Sequence, residues 1–207
     1  MIYIIGGAPR SGKTKLAKRL SRKLSVPIYS TDKLRIQVAR KTPVSKIDLM
    51  FPFNRMFDGD KVDECFRKYK SEDFLNADKV EASCLIEEII TFMKHNLNNN
   101  NDYIIEGVHL LPRYIKKIQL SISECRIIYL GKIDEHKILN GLKLNKDKKD
   151  WIIGHIKKSV SLVRASRMVS VYGKFFLKEA KKYGFKFLNT EEDFFKKLKE
   201  AEKYLVN

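Results

Sequence analysis

The eight residues Gly7-Ala8-Pro9-Arg10-Ser11-Gly12-Lys13-Thr14 constrain this chain more than any other stretch. They satisfy G-x-x-x-x-G-K-[ST] in full. They lie between an apolar run, Ile2 to Ile5, and a segment with Leu16, Leu20 and Leu24 at four-residue spacing. That context predicts a strand, a tight turn and a helix opening at about Lys13. Gly7 and Gly12 permit backbone angles that turn successive N–H groups inward around an anion, where a Cβ would intrude. The helix start adds its partial positive charge. The Lys13 ammonium suits the terminal phosphates of a nucleoside triphosphate, and the Thr14 hydroxyl suits a Mg²⁺ ion. The motif therefore predicts a triphosphate cradle.

Beyond it, short apolar runs alternate with helical periodicity, the pattern of an α/β domain with a parallel sheet. Strands are predicted at Ile2 to Ile5, Val26 to Ser30, Tyr103 to Glu106, Arg126 to Leu130 and Phe185 to Leu188. A long helix is predicted over roughly Asp73 to Leu97, with Ala77, Val80, Cys84, Leu85, Ile89, Phe92 and Met93 as its stripe. Pro112 is expected to start another helix. Asp150 is expected to cap a helix carrying Ile152, Ile153, Ile156, Val160 and Val163 on one face. A further helix should run to Tyr183 and close at Gly184, and Thr190 should cap the last one, with Glu191, Glu192 and Asp193 favourable to its dipole. Residues 31–71 read as irregular apart from a helix near Val62 to Tyr69. The expected architecture is one domain over 1–207: three layers, a five-stranded parallel sheet flanked by helices, and insertions at 33–71 and 134–170.

Composition narrows the rest. At 207 residues and 43% hydrophobic content the chain can bury a core without disulfides or a structural metal. Cys65, Cys84 and Cys125 show no C-x-x-C spacing, so neither a zinc site nor a disulfide framework is expected, and a reducing cytoplasm is. No apolar run approaches the roughly 18 residues of a membrane helix. The apolar start lacks a basic leader and reads as a strand, not a signal peptide. Lys+Arg 42 against Asp+Glu 25 gives +17. Two readings fit that charge: lysines solvated along every helix, or a polyanionic partner such as nucleic acid. Between Gly141 and Ser170 there is a local excess, with Lys143, Lys146, Lys148, Lys149, Lys157, Lys158, Arg164 and Arg167 against Asp147 and Asp150.

Other residues sort the triphosphate chemistry. Guanine readers carry N-K-x-D after a strand; here Asn145-Lys146-Asp147-Lys148 has lysine where the aspartate must be. Remodelling ATPases need a longer chain and a strand ending Asp-Glu, whereas the third strand ends Ile105-Glu106-Gly107. A compact kinase of the P-loop type remains, with ATP as the default nucleotide. Asp32 falls just past the second strand, beside the cradle, where a carboxylate can orient an acceptor hydroxyl and take its proton. Arg35, three residues on, can meet an anionic acceptor. Glu106 ends a buried strand and needs a partner, either a water-mediated Mg²⁺ or Arg113. His109 lies two residues into the following loop, within reach of the acceptor, and reads as a satisfied loop histidine rather than a base. Arg164 and Arg167, three apart on a helix, have the planar fork that suits phosphate and could close over the transferring group.

The cradle, Ser30-Thr31-Asp32 to Arg35, and Glu106-Gly107-Val108-His109-Leu110-Leu111-Pro112 together resemble the archaeal-type 2-phosphoglycerate kinases and the zeta-toxin-like P-loop kinases. The resemblance runs from the first strand through the Arg164/Arg167 helix to Tyr172-Gly173. It implies a P-loop NTPase fold and transfer of the γ-phosphate of ATP, with Mg²⁺, to a hydroxyl of a small anionic metabolite. It also implies Lys13 and Thr14 on phosphates and Mg²⁺, Asp32 near the acceptor hydroxyl, and Arg164 and Arg167 in a lid. Two other functions stay open: a kinase of nucleic-acid ends or nucleosides, and an ATP-binding regulator without catalysis.

Overall fold

The computed structural model describes residues 1–57, 61–99, 101–119, 124–144 and 154–207. Five parallel strands, β1 (Ile2–Gly7), β2 (Ile28–Ser30), β3 (Tyr103–Gly107), β4 (Cys125–Gly131) and β5 (Lys186–Asn189), pair in the order β2-β3-β1-β4-β5. Alternate residues of the buried strands feed two cores. Tyr3, Ile5, Ile104, Ile128 and Leu130 pack on one side against Leu16 and Leu20 of α1 (Lys13–Leu24) and Leu198, Ala201 and Leu205 of α10 (Phe194–Val206). Ile2, Ile4, Ile105, Ile127 and Tyr129 face the other, larger core. Helices on both faces explain why the strands read as continuous apolar runs and not as alternation.

The segment expected to be irregular is helical. It holds α2 (Thr31–Lys41), α3 (Val44–Met50) and α4 (Pro52–Met56) ahead of α5 (Val62–Lys68), the one helix expected there. Pro43 immediately precedes α3 and Pro52 is the first residue of α4, so both prolines open helices, where the missing N–H costs nothing. The long helix α6 spans Ser71–Asn98; Val80, predicted on its stripe, is exposed instead. The helix α7 (Pro112–Gln119) starts at its proline as expected.

The 134–170 insertion contains a helix the sequence reading lacked, α8 (Glu135–Leu144). The Asp150 cap, Ile152 and Ile153 lie outside the described residues, as do Lys146, Lys148 and Lys149. The next helix, α9, runs unbroken over Ser159–Tyr183 and ends at Gly184, whose φ of 74° is the left-handed cap expected of it. Val160 and Val163 are exposed, and α9 buries Met168, Val169, Tyr172, Phe176 and Ala180 instead. Thr190 does not cap α10, since Asp193 precedes it directly. The Thr190 hydroxyl is buried and donates to the Ser11 carbonyl at 2.9 Å, tying the turn after β5 to the cradle. Glu191 accepts the N–H groups of Ile133 and Asp134 and so serves the loop after β4, while Asp193 stands at the N-cap of α10. Among the described residues no helix is long and apolar enough to cross a membrane.

Candidate active site

Strand register brings the site together. Glu106 of β3 lies opposite both Ile5 of β1 and Ser30 of β2, so these three strands end level and the loops after them meet. The cradle leaves β1 at Gly7 with φ 131°, where a Cβ would sit 1.9 Å from the Leu130 carbonyl oxygen of β4. Gly12, φ 97°, turns the chain into α1 at Lys13, as the motif predicts. Lys13 Nζ and Ser11 Oγ both donate to the Ala8 carbonyl, at 2.8 and 2.7 Å. Burial lowers the Lys13 pKa, opposed by Glu106, Asp32 and Asp78. Thr14 Oγ1 donates to Glu106 Oε1 at 3.2 Å. Glu106 is 4% exposed. Burial raises its carboxyl pKa, against the pull of Lys13 and hydrogen bonds from Thr14 and Ser30. Arg113 is not its partner: that guanidinium donates to the Tyr114 hydroxyl.

A cavity of about 420 Å³ joins the cradle to the loops after β2 and β3. Lys13, Thr14, Asp32, Arg35, Glu106 and His109 all line it, so the structure assembles the residues read from three distant stretches of sequence. Thr14 and Glu106 offer two oxygen donors beside one another, the hard donor set that Mg²⁺ takes, and the Lys13 ammonium is near enough to pull on the Glu106 carboxylate. A second cleft, about 950 Å³, opens on the other side of the same loop between Lys15, Lys18, Lys132 and Phe194. Lys15 and Lys132 each hold their ammonium 5.5 Å from the Phe194 ring centroid.

Two residues behave differently from their sequence reading. Arg35 does not present its charge to the cavity alone: its Nε and Nη2 both donate to Glu81, and Nη2 also reaches Asn54 Oδ1 at 2.8 Å. His109, 1% exposed, is more than a loop histidine. Its Nδ1 is 3.0 Å from Thr31 Oγ1, and its Nε2, which lacks a hydrogen-bond partner, faces Asp78 Oδ1 at 3.7 Å and Glu81 Oε2 at 3.8 Å. Tyr172 donates its hydroxyl to Asp78. Burial raises the Asp78 pKa to about 6 against His109 and Tyr172; at Glu81 burial is outweighed by His109 and Arg35, and the pKa falls.

Asp78, Glu81 and His109 place one ligating atom each within 4.8 Å of one another. The Arg35 guanidinium on Glu81 already supplies this trio with a counter-charge, the arrangement of a buried ion-paired network. Asp78 and Glu81, three apart on α6, escaped the sequence reading because nothing local marks them; a carboxylate on the buried stripe of a long helix was the available signal.

Arg164 and Arg167 do not join the cradle. Both line a separate cavity, about 520 Å³, with Phe66, Tyr69 and Ser71, and Arg164 donates to the Phe66 carbonyl at 2.7 Å.

No protein-family model matches the chain, and no curated protein matches it. Among solved structures, a sugar kinase from Janibacter sp. HTCC2649 is similar at 12% identity with a TM-score of 0.51, covering 99% of this chain and 93% of that one. A gluconokinase from Sinorhizobium meliloti 1021 is similar at 12% identity and TM-score 0.51, over 99% and 90%. At such identities the likeness is one of architecture. The chain has a three-layer α/β fold with a five-stranded parallel sheet, the architecture it shares with these two kinases.

Proposed function

We propose that this chain is an ATP- and Mg²⁺-dependent kinase of a small molecule bearing a hydroxyl group. The observation that carries the reading is the shared cavity: the Lys13 ammonium, the Thr14–Glu106 oxygen pair and the Asp32 carboxylate all face it. The neighbours' names, a sugar kinase and a gluconokinase, support the same class of reaction.

Cradle amides and Lys13 would grip the triphosphate, with the base directed to the Phe194 cleft. Thr14 and Glu106 would hold Mg²⁺, whose charge offsets that of the phosphates. Asp32, 70% exposed at the mouth of the cavity, would accept a hydrogen bond from the acceptor hydroxyl, align its oxygen and take up its proton. Ile36, Phe53 and Val108 would line one side of the transferring group with apolar surface. The 134–170 segment, with α8, would serve as the lid.

The test is an ATP-consumption screen over sugars, sugar acids, phosphorylated acids and nucleosides, with the phosphorylated product identified by mass. Transfer to one class, lost in Asp32→Asn, supports the reading; a wild-type protein that binds Mg·ATP and phosphorylates nothing supports the regulator instead. A nucleic-acid acceptor has one observation in its favour, the row Lys15, Lys18 and Arg22 along the second cleft. It predicts oligonucleotide binding that weakens steeply with salt.

A further inference from the structure

We infer that the acceptor taken by this site carries no net negative charge, being a neutral polyol or an amine-bearing sugar, and that Glu81 sets this preference. The inference rests on the kinase reading and adds the chemical class of the acceptor. Arg35 is the cation that an anionic acceptor would need, and it is already committed. Glu81, 0% exposed, takes two of its N–H groups and also accepts the Phe53 backbone N–H at 2.8 Å. Releasing Arg35 to a ligand would leave a buried carboxylate without its counter-charge, the costly half of breaking an ion pair.

What faces the acceptor half of the cavity is therefore negative. Asp32 Oδ1 lies 3.8 Å from His109 Nδ1, a nitrogen already on Thr31, and the carboxylate is otherwise coupled to Lys13 of the cradle. Asp78 adds a second carboxylate from behind. Lys13 and Arg10 belong to the cradle end, where a triphosphate takes up their charge. An anionic acceptor would meet Asp32 with no cation to spare, whereas an ammonium would be drawn to it. The opposite wall, Phe53 with Ile36 and Val108, suits the C–H face of a sugar-sized ring.

Glucose, glucosamine, gluconate and 2-phosphoglycerate form a probe set of matched size and graded charge. Each is titrated by calorimetry onto the full chain saturated with Mg²⁺ and a non-hydrolysable ATP analogue. Glucose or glucosamine is expected to bind at least about tenfold more tightly than either acid. Asp32→Asn should weaken glucosamine about fivefold or more beyond whatever it costs glucose, because only the amine loses a charge partner. Glu81→Gln, which frees Arg35, should tighten gluconate about tenfold; where that variant fails to fold by circular dichroism, the Asp32→Asn result decides. Acids binding as tightly as the neutral and amino sugars, or no saturable binding of glucose and glucosamine, overturns the inference. The expected order with no phosphorylated product once ATP replaces the analogue leaves the charge rule standing and removes the kinase reading.

Discussion

The Thr14 hydroxyl donates to the Glu106 carboxylate at 3.2 Å, joining the first turn of α1 to the penultimate residue of β3. Parallel pairing of β1 with β3 makes this contact, by setting Ile5 level with Glu106. If the pair holds Mg²⁺, Glu106→Gln should raise the Mg²⁺ concentration for half-maximal turnover about tenfold or more, with little change in nucleotide binding measured in chelator. Equal Mg²⁺ dependence in variant and wild type would assign Glu106 to structure alone.

Gly7→Ala should abolish the cradle. The added Cβ would sit 1.9 Å from the Leu130 carbonyl, at a φ of 131° that side chains rarely adopt. The expected cost is about 3 kcal/mol or more in urea denaturation, together with loss of the calorimetric response to Mg·ATP.

Asp32→Asn is expected to keep its affinity for Mg·ATP while losing phosphoryl transfer by about 10²–10⁴-fold in steady-state assays. Turnover near the wild-type level would move the base elsewhere in the cavity.

The position of Arg164 and Arg167 outside the cradle cavity predicts different behaviour for them. Arg164→Ala gives up the bond to the Phe66 carbonyl and should destabilise the chain by about 1 kcal/mol, read as a lowered denaturation midpoint. Arg167→Ala should leave the Kd for Mg·ATP within about twofold and kcat within about threefold of wild type. A drop of about 10²-fold in kcat alone would mean that α9 swings these groups over the phosphates during turnover.

Burial holds the Asp78 carboxyl at about 6, above its ordinary 3.8. Between those values the folded chain keeps a proton that the unfolded chain releases, so this group's contribution to stability falls as pH rises. The difference corresponds to about 3 kcal/mol, lost between pH 4 and 6 and constant above. Asp78→Asn removes the titration, so wild-type stability minus variant stability should decline across that window in denaturant titrations. A flat difference would place the proton on another member of the network.

The cradle and the sheet were legible in the sequence because their determinants are local. Gly7 and Gly12 sit at the two fixed positions of the motif that need positive φ, and Leu16 and Leu20 mark a buried helix face without reference to the rest of the chain. Of the short helices in 31–71 only α5 was legible; α2, α3 and α4 were not, because runs of five to eleven residues carry too little periodicity, and Pro43 and Pro52 read as breakers although they open helices. Thr190 shows the same limit in reverse, since a hydroxyl ahead of a helical stripe looks like a cap until the fold gives it the Ser11 carbonyl.

Sequence by itself determined the phosphate cradle, the five strands and the place of Asp32 after the second of them. Tertiary structure alone decided which charges line the cavity in front of Asp32 and which are paired off. Glu81 reaches Arg35 across 46 residues, and His109 meets Asp78 and Glu81 from another loop. The reason is physical: a motif fixes backbone geometry over a few residues, but whether a charge is free or neutralised depends on which distant groups the packing of α2 on α6 and β3 brings within a few ångströms.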